Sequence, residues 1–172
     1  MNGLFKAGFV LLACTLSSVE IAAAQPANSG CSSENSLGAT QTLHCRTGIT
    51  IVAEDGARYT LRSNRNGRVD AVELSGKALL IEVEPKSGGN KFEVTTPQAI
   101  AAVRGTKWAV DAAGDKTSVF VVNGSVRVGR RTGGNGVTLR PGEGVDVEPG
   151  APLTVKRWAP PRVSALLARL GQ

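Results

Sequence analysis

The sequence predicts an all-β fold: an irregular β-solenoid, or β-helix-like stack of short strands, with a short C-terminal capping helix. Valine outnumbers leucine in the 172-residue chain, and β-branched side chains favour pleated surfaces over helices. Short apolar or alternating runs recur along the chain between glycine-bearing turn signals, which is typical of all-β proteins. The same composition excludes a coiled coil, a helical bundle and a collagen-like chain.

The predicted strands and turns alternate between residues 49 and 155. The strands are short runs at 49–53, 59–61, 69–74, 79–83, 92–94, 100–103, 108–110, 119–122, 126–128, 137–139, 145–147 and 153–155. The turns all contain glycine and lie at 54–56, 66–67, 75–76, 87–90, 114–115, 123–124, 133–136 and 141–142. Strands this short suit stacked coils better than a tall barrel, and the absence of a fixed-length repeat makes the predicted solenoid irregular. A sandwich or a barrel is the alternative that the same pattern leaves open.

Residues 1–24 are predicted to be a cleavable signal peptide. Lys6 makes its start positive, residues 7–16 form an apolar run, and the three alanines at 22–24 suit a signal peptidase. The run is too short for a membrane-spanning helix, which needs about 20 residues. The mature protein is therefore expected to be periplasmic or secreted. The alternative is a lipoprotein signal that would leave a lipid anchor on Cys14.

Residues 25–48 are predicted to be a polar lead-in closed by a disulfide. Once Cys14 leaves with the leader, Cys31 and Cys45 remain in an oxidising compartment, where disulfides persist. In the chain-entropy model a bridge closing a loop of this size stabilises the fold by about 3 kcal/mol. The alternative is a metal site that includes His44, but two thiols and one histidine match no standard zinc spacing. No metal or cofactor is therefore expected.

The tail at 156–172 departs from the β pattern, because two prolines follow Trp158. Apolar residues then recur at helical spacing: Val163, Leu166, Leu167 and Leu170. This spacing predicts one short amphipathic helix. Since an isolated helix of this length is marginal in water, we expect it to dock on the domain and cover the end of the strand stack. A helix that binds a partner is the alternative.

Residues 96–110, TPQAIAAVRGTKWAV, carry the most distinctive motif of the chain. Shorter motifs flank it: DG at 55–56, VELSGKA at 72–78, FEV at 92–94, NG at 123–124 and LRPGE at 139–143. Together these motifs, spread over residues 49–148, resemble the FecR-type periplasmic domain. Each piece alone is weak, but the combination is specific.

The resemblance implies a β-solenoid-like domain that works by protein contact and not by catalysis. The best-known relatives are single-pass anti-sigma regulators, whose periplasmic domain receives a signal from an outer-membrane receptor. This chain is predicted to be a stand-alone version, with a leader but without sigma-binding helices or a transmembrane segment. We therefore expect a non-enzymatic signalling, sensing or scaffolding module that binds an envelope protein.

The motif residues are expected to have mainly structural roles. Pro97 fixes its own backbone and keeps Thr96 extended at the start of a coil. Gly105 is expected at a corner or a close backbone approach, and Thr106 is expected to bond backbone groups nearby. Two further glycines lie in turns of the flanking motifs: Gly124 and Gly142.

The arginines are the main candidates for contacts with a binding partner. Arg104 is expected to lock adjacent coils through a carboxylate such as Asp111 or Glu93, with a partner contact as the alternative. The formal net charge is +6, and candidate interaction residues concentrate in the second half: Arg127, Arg130, Arg131 and Arg140. In an exported protein this basic face suits an anionic envelope polymer, such as cell wall or lipopolysaccharide, or an acidic partner, and not nucleic acid.

No catalytic residues are predicted. His44 is the only histidine and lies in the disulfide region, where it is poorly placed to act as the base of a nucleophilic triad. The glycine-rich segment at 129–136 lacks the Lys-Ser/Thr ending of a phosphate-binding loop. Glu82 and Glu84 fit the solvent-facing alternation of a strand better than a glycosidase pair.

Overall fold

Alternation of buried and exposed side chains turns most of the chain into β-strands. The computed structural model describes residues 30–35, 40–46, 48–85 and 91–172. The described strands are β1 (Cys31–Asn35), β2 (Thr40–Cys45), β3 (Ile49–Glu54), β4 (Arg58–Ser63), β5 (Val69–Val83), β6 (Phe92–Thr95), β7 (Ala99–Val103), β8 (Lys107–Ala113), β9 (Lys116–Asn123), β10 (Val126–Arg130), β11 (Val137–Leu139), β12 (Glu143–Val147) and β13 (Lys156–Arg157), and the helix is α1 (Pro160–Arg169). The predicted leader, the alternative anchor at Cys14 and the turn at 87–90 lie outside the described residues.

The strands form one open sheet that curls on itself. Strand β5 belongs to both of its arms. In the open arm, the first half of β5 lies between β4 and β6, and β7, β10 and β11 follow outward. In the helix-covered arm, the second half of β5 lies between β3 and β8; β2 and β1 continue beyond β3, and β9, β12 and β13 beyond β8.

The all-β class with one C-terminal helix is confirmed, but the predicted solenoid is not. Among the described strands only β5 and β6 pair in parallel; every other pair is antiparallel. Antiparallel pairing follows from the short glycine turns, because a tight turn returns the chain beside the strand it has just left. The result is a curled sheet of hairpins.

The predicted turn at 75–76 is wrong, because β5 runs unbroken from Val69 to Val83. Arg58 pairs with Gly76 and Tyr59 with Leu74, which leaves one extra residue in β5 between them. Such a bulge bends a strand and increases its twist. Lys77, the next residue, has φ of 65°. The serine and glycine that suggested a turn therefore mark the point where β5 passes from one arm to the other.

The core lies where the inward faces of the two arms meet. Trp108 and Ile81 of the helix-covered arm and Phe92 and Val126 of the open arm are almost completely buried in one apolar cluster. Leu153 and Val155 pack against this cluster, but the predicted strand at 153–155 does not form. The only strand there is the two-residue β13.

The predicted disulfide between Cys31 and Cys45 is confirmed. The two cysteines are paired residues of the antiparallel strands β1 and β2, and β2 pairs in turn with β3. The region expected to be a polar lead-in therefore extends the sheet. Because both sulfurs are in the bridge, they are not free to bind a metal with His44, whose Nδ1 lies 3.4 Å from Oγ1 of Thr50.

The predicted C-terminal helix is present as α1, and prolines fill its first positions, where no backbone donor is needed. Leu166 and Leu170 are buried against Leu80 and Phe120 in a second apolar cluster. The helix thus covers the outer face of one arm and not the end of a strand stack. No helix in the described part of the chain is long and apolar enough to cross a membrane.

Trp158 fixes the approach of α1 to the sheet. Its ring stacks on Phe120 at a centroid distance of 5.2 Å, and the Arg162 guanidinium lies 3.5 Å from the Trp158 ring centroid. Arg162 also binds Asp146 through both carboxylate oxygens. Burial alone would raise the pKa of Asp146, but the hydrogen bonds from Arg162 and Ser118 hold that pKa below its ordinary value.

Arg169 attaches the end of α1 to two strands. Its guanidinium donates to both carboxylate oxygens of Glu54 in β3 and of Asp111 in β8. Burial raises the pKa of Glu54, but the hydrogen bonds from Arg169 and from the Ala78 backbone outweigh it, so the pKa is lowered. The helix is therefore held by two bidentate arginines as well as by its apolar side.

Replacing Gly144 should disturb the seat of Trp158. A Cβ at position 144 would touch the indole ring of Trp158 and lie 2.7 Å from the carbonyl oxygen of Val119. We expect Gly144→Ala to lower the free energy of unfolding by about 2 kcal/mol, as overpacking does, and to change the near-ultraviolet circular dichroism of Trp158. Gly129→Ala is the matched control, because nothing lies within 4 Å of its added Cβ. Equal urea denaturation curves for the two variants would contradict this account.

Replacing Arg169 should make stability less dependent on acid. Because the folded-state pKa of Glu54 is lowered, its stabilisation is full above the unfolded pKa, near 4.5, and is lost as pH falls through the folded value. We expect Arg169→Gln to cost about 2 kcal/mol at neutral pH and progressively less below the unfolded pKa. Urea denaturation across pH measures this, with Arg65→Gln in an exposed turn as control. A cost that does not change with pH would contradict it.

Candidate interaction surface on the open arm

The outer face of the open arm is left uncovered by the described chain. Helix α1 packs on the other arm, and no described segment occupies the corresponding place here. Pairing across five strands sets one row of side chains on this face: Ala71, Glu93, Ala102, Arg127 and Thr138. Ile100, one step along β7, is half-buried on the same face. The middle of the face is therefore weakly apolar.

Arg104 is held at one end of this face by its neighbours in the motif. The buried Thr106 places its Oγ1 3.1 Å from the carbonyl oxygens of both Arg104 and Ser125. Gly105 has φ of 58°, and a Cβ there would lie 3.1 Å from Cα of Pro85. A residue with a side chain would be strained in that conformation and crowded by Pro85. The threonine and glycine thus fix the backbone from which Arg104 projects.

Arg104, Arg127 and Arg140 form an arginine cluster at this end of the face. All three are exposed, and each directly follows a buried residue. Val103 and Leu139 are the last residues of β7 and β11, and Val126 is the first residue of β10. Val126 pairs with both Val103 and Leu139, so Arg104 and Arg140 flank β10, with backbones about 10 Å apart. Arg127 lies diagonally about 7–8 Å from each.

In the described part of the chain no carboxylate forms an ion pair with a guanidinium of the arginine cluster, although the Glu143 carboxylate accepts from the backbone N–H of Arg140 at 2.8 Å. Arg62, on the same face, binds both oxygens of Glu73 at 2.8 Å, and Glu93 accepts from Thr95 at 3.4 Å. These glutamates lie on β5 and β6, away from the arginine cluster. The face is therefore acidic or neutral on one side and strongly basic on the other.

The structure separates the four arginines that the sequence grouped together. Arg130 donates to the carbonyl oxygens of Glu148, at 2.7 Å, and Ala151. Arg131 donates to the carbonyl oxygen of Thr96 at 3.4 Å. These two hold backbone in place, whereas Arg127 and Arg140 remain on the open face.

The expected lock between Arg104 and a carboxylate is wrong for the described residues. Asp111 is bound by Arg169, and Glu93 lies beyond Ala102 in the row. Sequence reasoning therefore missed Arg104 as a member of the arginine cluster. The signal was its place directly after a buried valine at the end of an alternating strand, but only strand pairing brings it beside Arg127.

The Thr-Pro motif joins the two arms from inside. Thr96 accepts from the Ala99 N–H at 2.9 Å, closing the turn between β6 and β7 in which Pro97 lies exposed. Its hydroxyl also meets that of the buried Thr117 in β9 at 2.7 Å. Pro97 thus stands in a hairpin turn and not at the start of a coil.

The two motif glycines stand at close backbone approaches. Gly124, with φ of 87°, would place a Cβ 2.7 Å from Oγ1 of Thr106. Gly142 donates its N–H to the carbonyl oxygen of Val121 at 2.9 Å. Both glycines therefore allow their turns to lie close to neighbouring strands. They contribute no side chain to the open face.

Comparison with known proteins gives one family and one fold. The family described as FecR protein matches residues 37–127. Two crystal structures of a candidate anti-sigma factor from Parabacteroides distasonis, at 2.50 Å and 1.65 Å resolution, superpose with a TM-score of 0.62 and 22% identity. In both cases the alignment covers 74% of this chain and 60% of the other. No curated protein matches the chain significantly.

Proposed function

Because the chain belongs to the FecR family, we propose that it is a signalling or regulatory module of the cell envelope that acts by binding a protein and not by catalysis. The family match spans more than half of the chain and ends at residue 127, so it includes β4, β6, β7 and the start of β10 in the open arm. The anti-sigma likeness, at 22% identity, supports the fold alone. Control of a sigma factor is therefore not part of this proposal.

The observation that carries the proposal is the difference between the two outer faces of the sheet. One is covered by α1 with stacked aromatics and two bidentate arginines. The other presents Ile100 and Ala102 half-exposed between charged residues, a mixture typical of protein interfaces. A sheet face that the described chain leaves open is suited to a partner.

The carboxylates whose pKa values are shifted hold the helix and do not point to a catalytic site. Lowered pKa values mark Glu54 and Asp146, and shifted carboxylates are often catalytic. Here each is bound by an arginine of α1. Their pKa shifts are thus accounted for by docking of the helix.

Export through a cleavable leader is part of the proposal. The disulfide between Cys31 and Cys45 supports an oxidising compartment, because such bridges are rare in the cytosol. We place the mature protein in the periplasm or outside the cell.

A binder of anionic envelope polymers is the second candidate. The exposed and unpaired arginine cluster favours it, since clustered positive charge attracts polyanions. The two functions differ in what contacts the centre of the open face, a protein surface or a polymer chain.

Cross-linking from the open face should distinguish the two functions. With a photoreactive amino acid at Ala102 or Thr138 in the intact envelope, we expect one discrete protein adduct that persists in high salt. The same amino acid at Asp115, in an exposed turn of the other arm, should give none. A diffuse, salt-labile polysaccharide smear from Ala102 would favour the polymer binder, and equal adducts from Asp115 would remove the role of this face.

Intact-mass analysis of the exported protein should show where it begins. We expect a chain starting at Gln25 whose Cys31 and Cys45 resist alkylation until they are reduced. A mass that includes a lipid on Cys14 would replace the cleavable leader with the anchor. A full-length cytoplasmic product with free thiols would contradict export.

A further inference from the structure

We propose that the arginine cluster binds an acidic segment of the protein partner, with aspartate or glutamate side chains seated on Arg104, Arg127 and Arg140. This rests on the proposed function and adds the chemistry of the partner. Arg127 lies in β10, and Arg104 and Arg140 directly follow the last residues of β7 and β11, the two strands paired with it. The paired strand ends therefore set the spacing of the cluster.

The three arginines of the cluster are unpaired and lie close together on one face. Arg162 and Arg169 bind carboxylates bidentately, and Arg62 binds both oxygens of Glu73 through Nη2, whereas no guanidinium of the arginine cluster has a carboxylate partner in the described residues. A guanidinium presents a planar fork that matches a carboxylate through two parallel hydrogen bonds. Three arginines whose backbones lie within about 10 Å of one another can therefore take up several carboxylates of one segment.

The backbone under the arginine cluster is held rigidly. Thr106 bonds the carbonyls of Arg104 and Ser125, and β10 is paired on both of its sides. Arg140 donates its backbone N–H to the Glu143 carboxylate at 2.8 Å. Binding would therefore order little besides the arginine side chains, which lowers its entropic cost.

The rest of the face favours a protein segment over a uniform polyanion. Glu93 lies in the same row as Arg127, two strands away across Ala102. A polymer or membrane with evenly spread negative charge would be repelled there, whereas a folded partner can place acidic groups on one side only. The half-exposed Ile100 between the two regions offers an apolar contact that a polysaccharide would use poorly.

The test measures binding of a short synthetic peptide in which glutamate alternates with valine, titrated into the mature, disulfide-bonded protein. The variant Arg104→Gln/Arg127→Gln/Arg140→Gln removes the cluster. The variant Arg46→Gln/Arg65→Gln/Arg68→Gln removes the same charge from exposed positions elsewhere. A lysine-for-glutamate peptide controls for the backbone. Melting curves check folding, and Arg127→Gln alone serves if the triple variant is unstable.

We expect the wild type and the control variant to bind the acidic peptide alike, and the cluster variant to bind it at least tenfold more weakly. The lysine peptide should not bind, and raising salt from about 20 to about 300 mM should weaken the acidic complex. Equal losses in both triple variants would reduce the effect to net charge and overturn the proposal. No binding by the wild type would also overturn it.

Two further probes distinguish the other anionic sources. If lipopolysaccharide micelles or phosphatidylglycerol vesicles bind more tightly than the peptide, and only the cluster variant loses them, the acidic-segment proposal is wrong and the polymer or membrane is the ligand. A protein adduct from Ala102 that survives in the cluster variant would leave the proposed function standing while refuting this inference. If neither the wild type nor any variant gave a protein adduct from Ala102 while the wild type still bound the acidic peptide, the proposed function would be refuted and this inference would stand.

Discussion

A single strand, β5, holds the fold together, because its two halves serve different arms of the sheet. Its first half pairs with β4 and β6, and its second half with β3 and β8. The bulge before Lys77 lets one continuous backbone turn through the bend without losing its hydrogen-bonded neighbours. Buried residues on both halves, such as Val72 and Ile81, then face a common core. The curl and the enclosed core both depend on this bend.

Curling one sheet creates two outer faces, and the chain treats them differently. The tail returns across the helix-covered arm and buries its apolar side there, guided by the stacking of Trp158 on Phe120. Arg169 and Arg162 form ion pairs with carboxylates of that arm. These pairs are bidentate, which compensates the charged groups for the water that they lose on partial burial. On the open arm, Arg62 binds Glu73, but the guanidiniums of Arg104, Arg127 and Arg140 receive no such partner from the described chain. One outer face is therefore covered by α1, and the other is exposed to solvent and accessible to a partner.

The family motif contributes to both the core and the surface. Thr96 and Thr106 are buried hydroxyls that satisfy backbone or side-chain groups between strands. The arginine between them in sequence, Arg104, instead emerges on the open face. A single short segment thus couples the rigidity of the sheet end to the position of a charged side chain. In the proposed binding role, that coupling would keep Arg104 in place before a partner binds.

The features that depend on local residue patterns could be predicted from the sequence. Alternation of valine with polar residues predicted most strands, the apolar spacing around Leu166 predicted α1, and two cysteines in a short polar segment predicted the disulfide. The basic character of the second half was also visible, including Arg127 and Arg140. Only the tertiary structure decided that β5 passes through Ser75 and Gly76 without a turn, because an isolated Ser-Gly pair cannot show which strands lie on either side of it.

Register is the physical reason for the remaining differences. Which side chains share a row depends on pairing between strands far apart in sequence, and a shift by one residue moves every side chain to the opposite face. Local patterns therefore grouped Arg130 and Arg131 with Arg127, although the structure uses them to bind carbonyls. Pairing of β10 with β7 and β11 instead set Arg104 and Arg140 beside Arg127. Residue types were fixed by the sequence, and their assembly into one surface was fixed by the sheet.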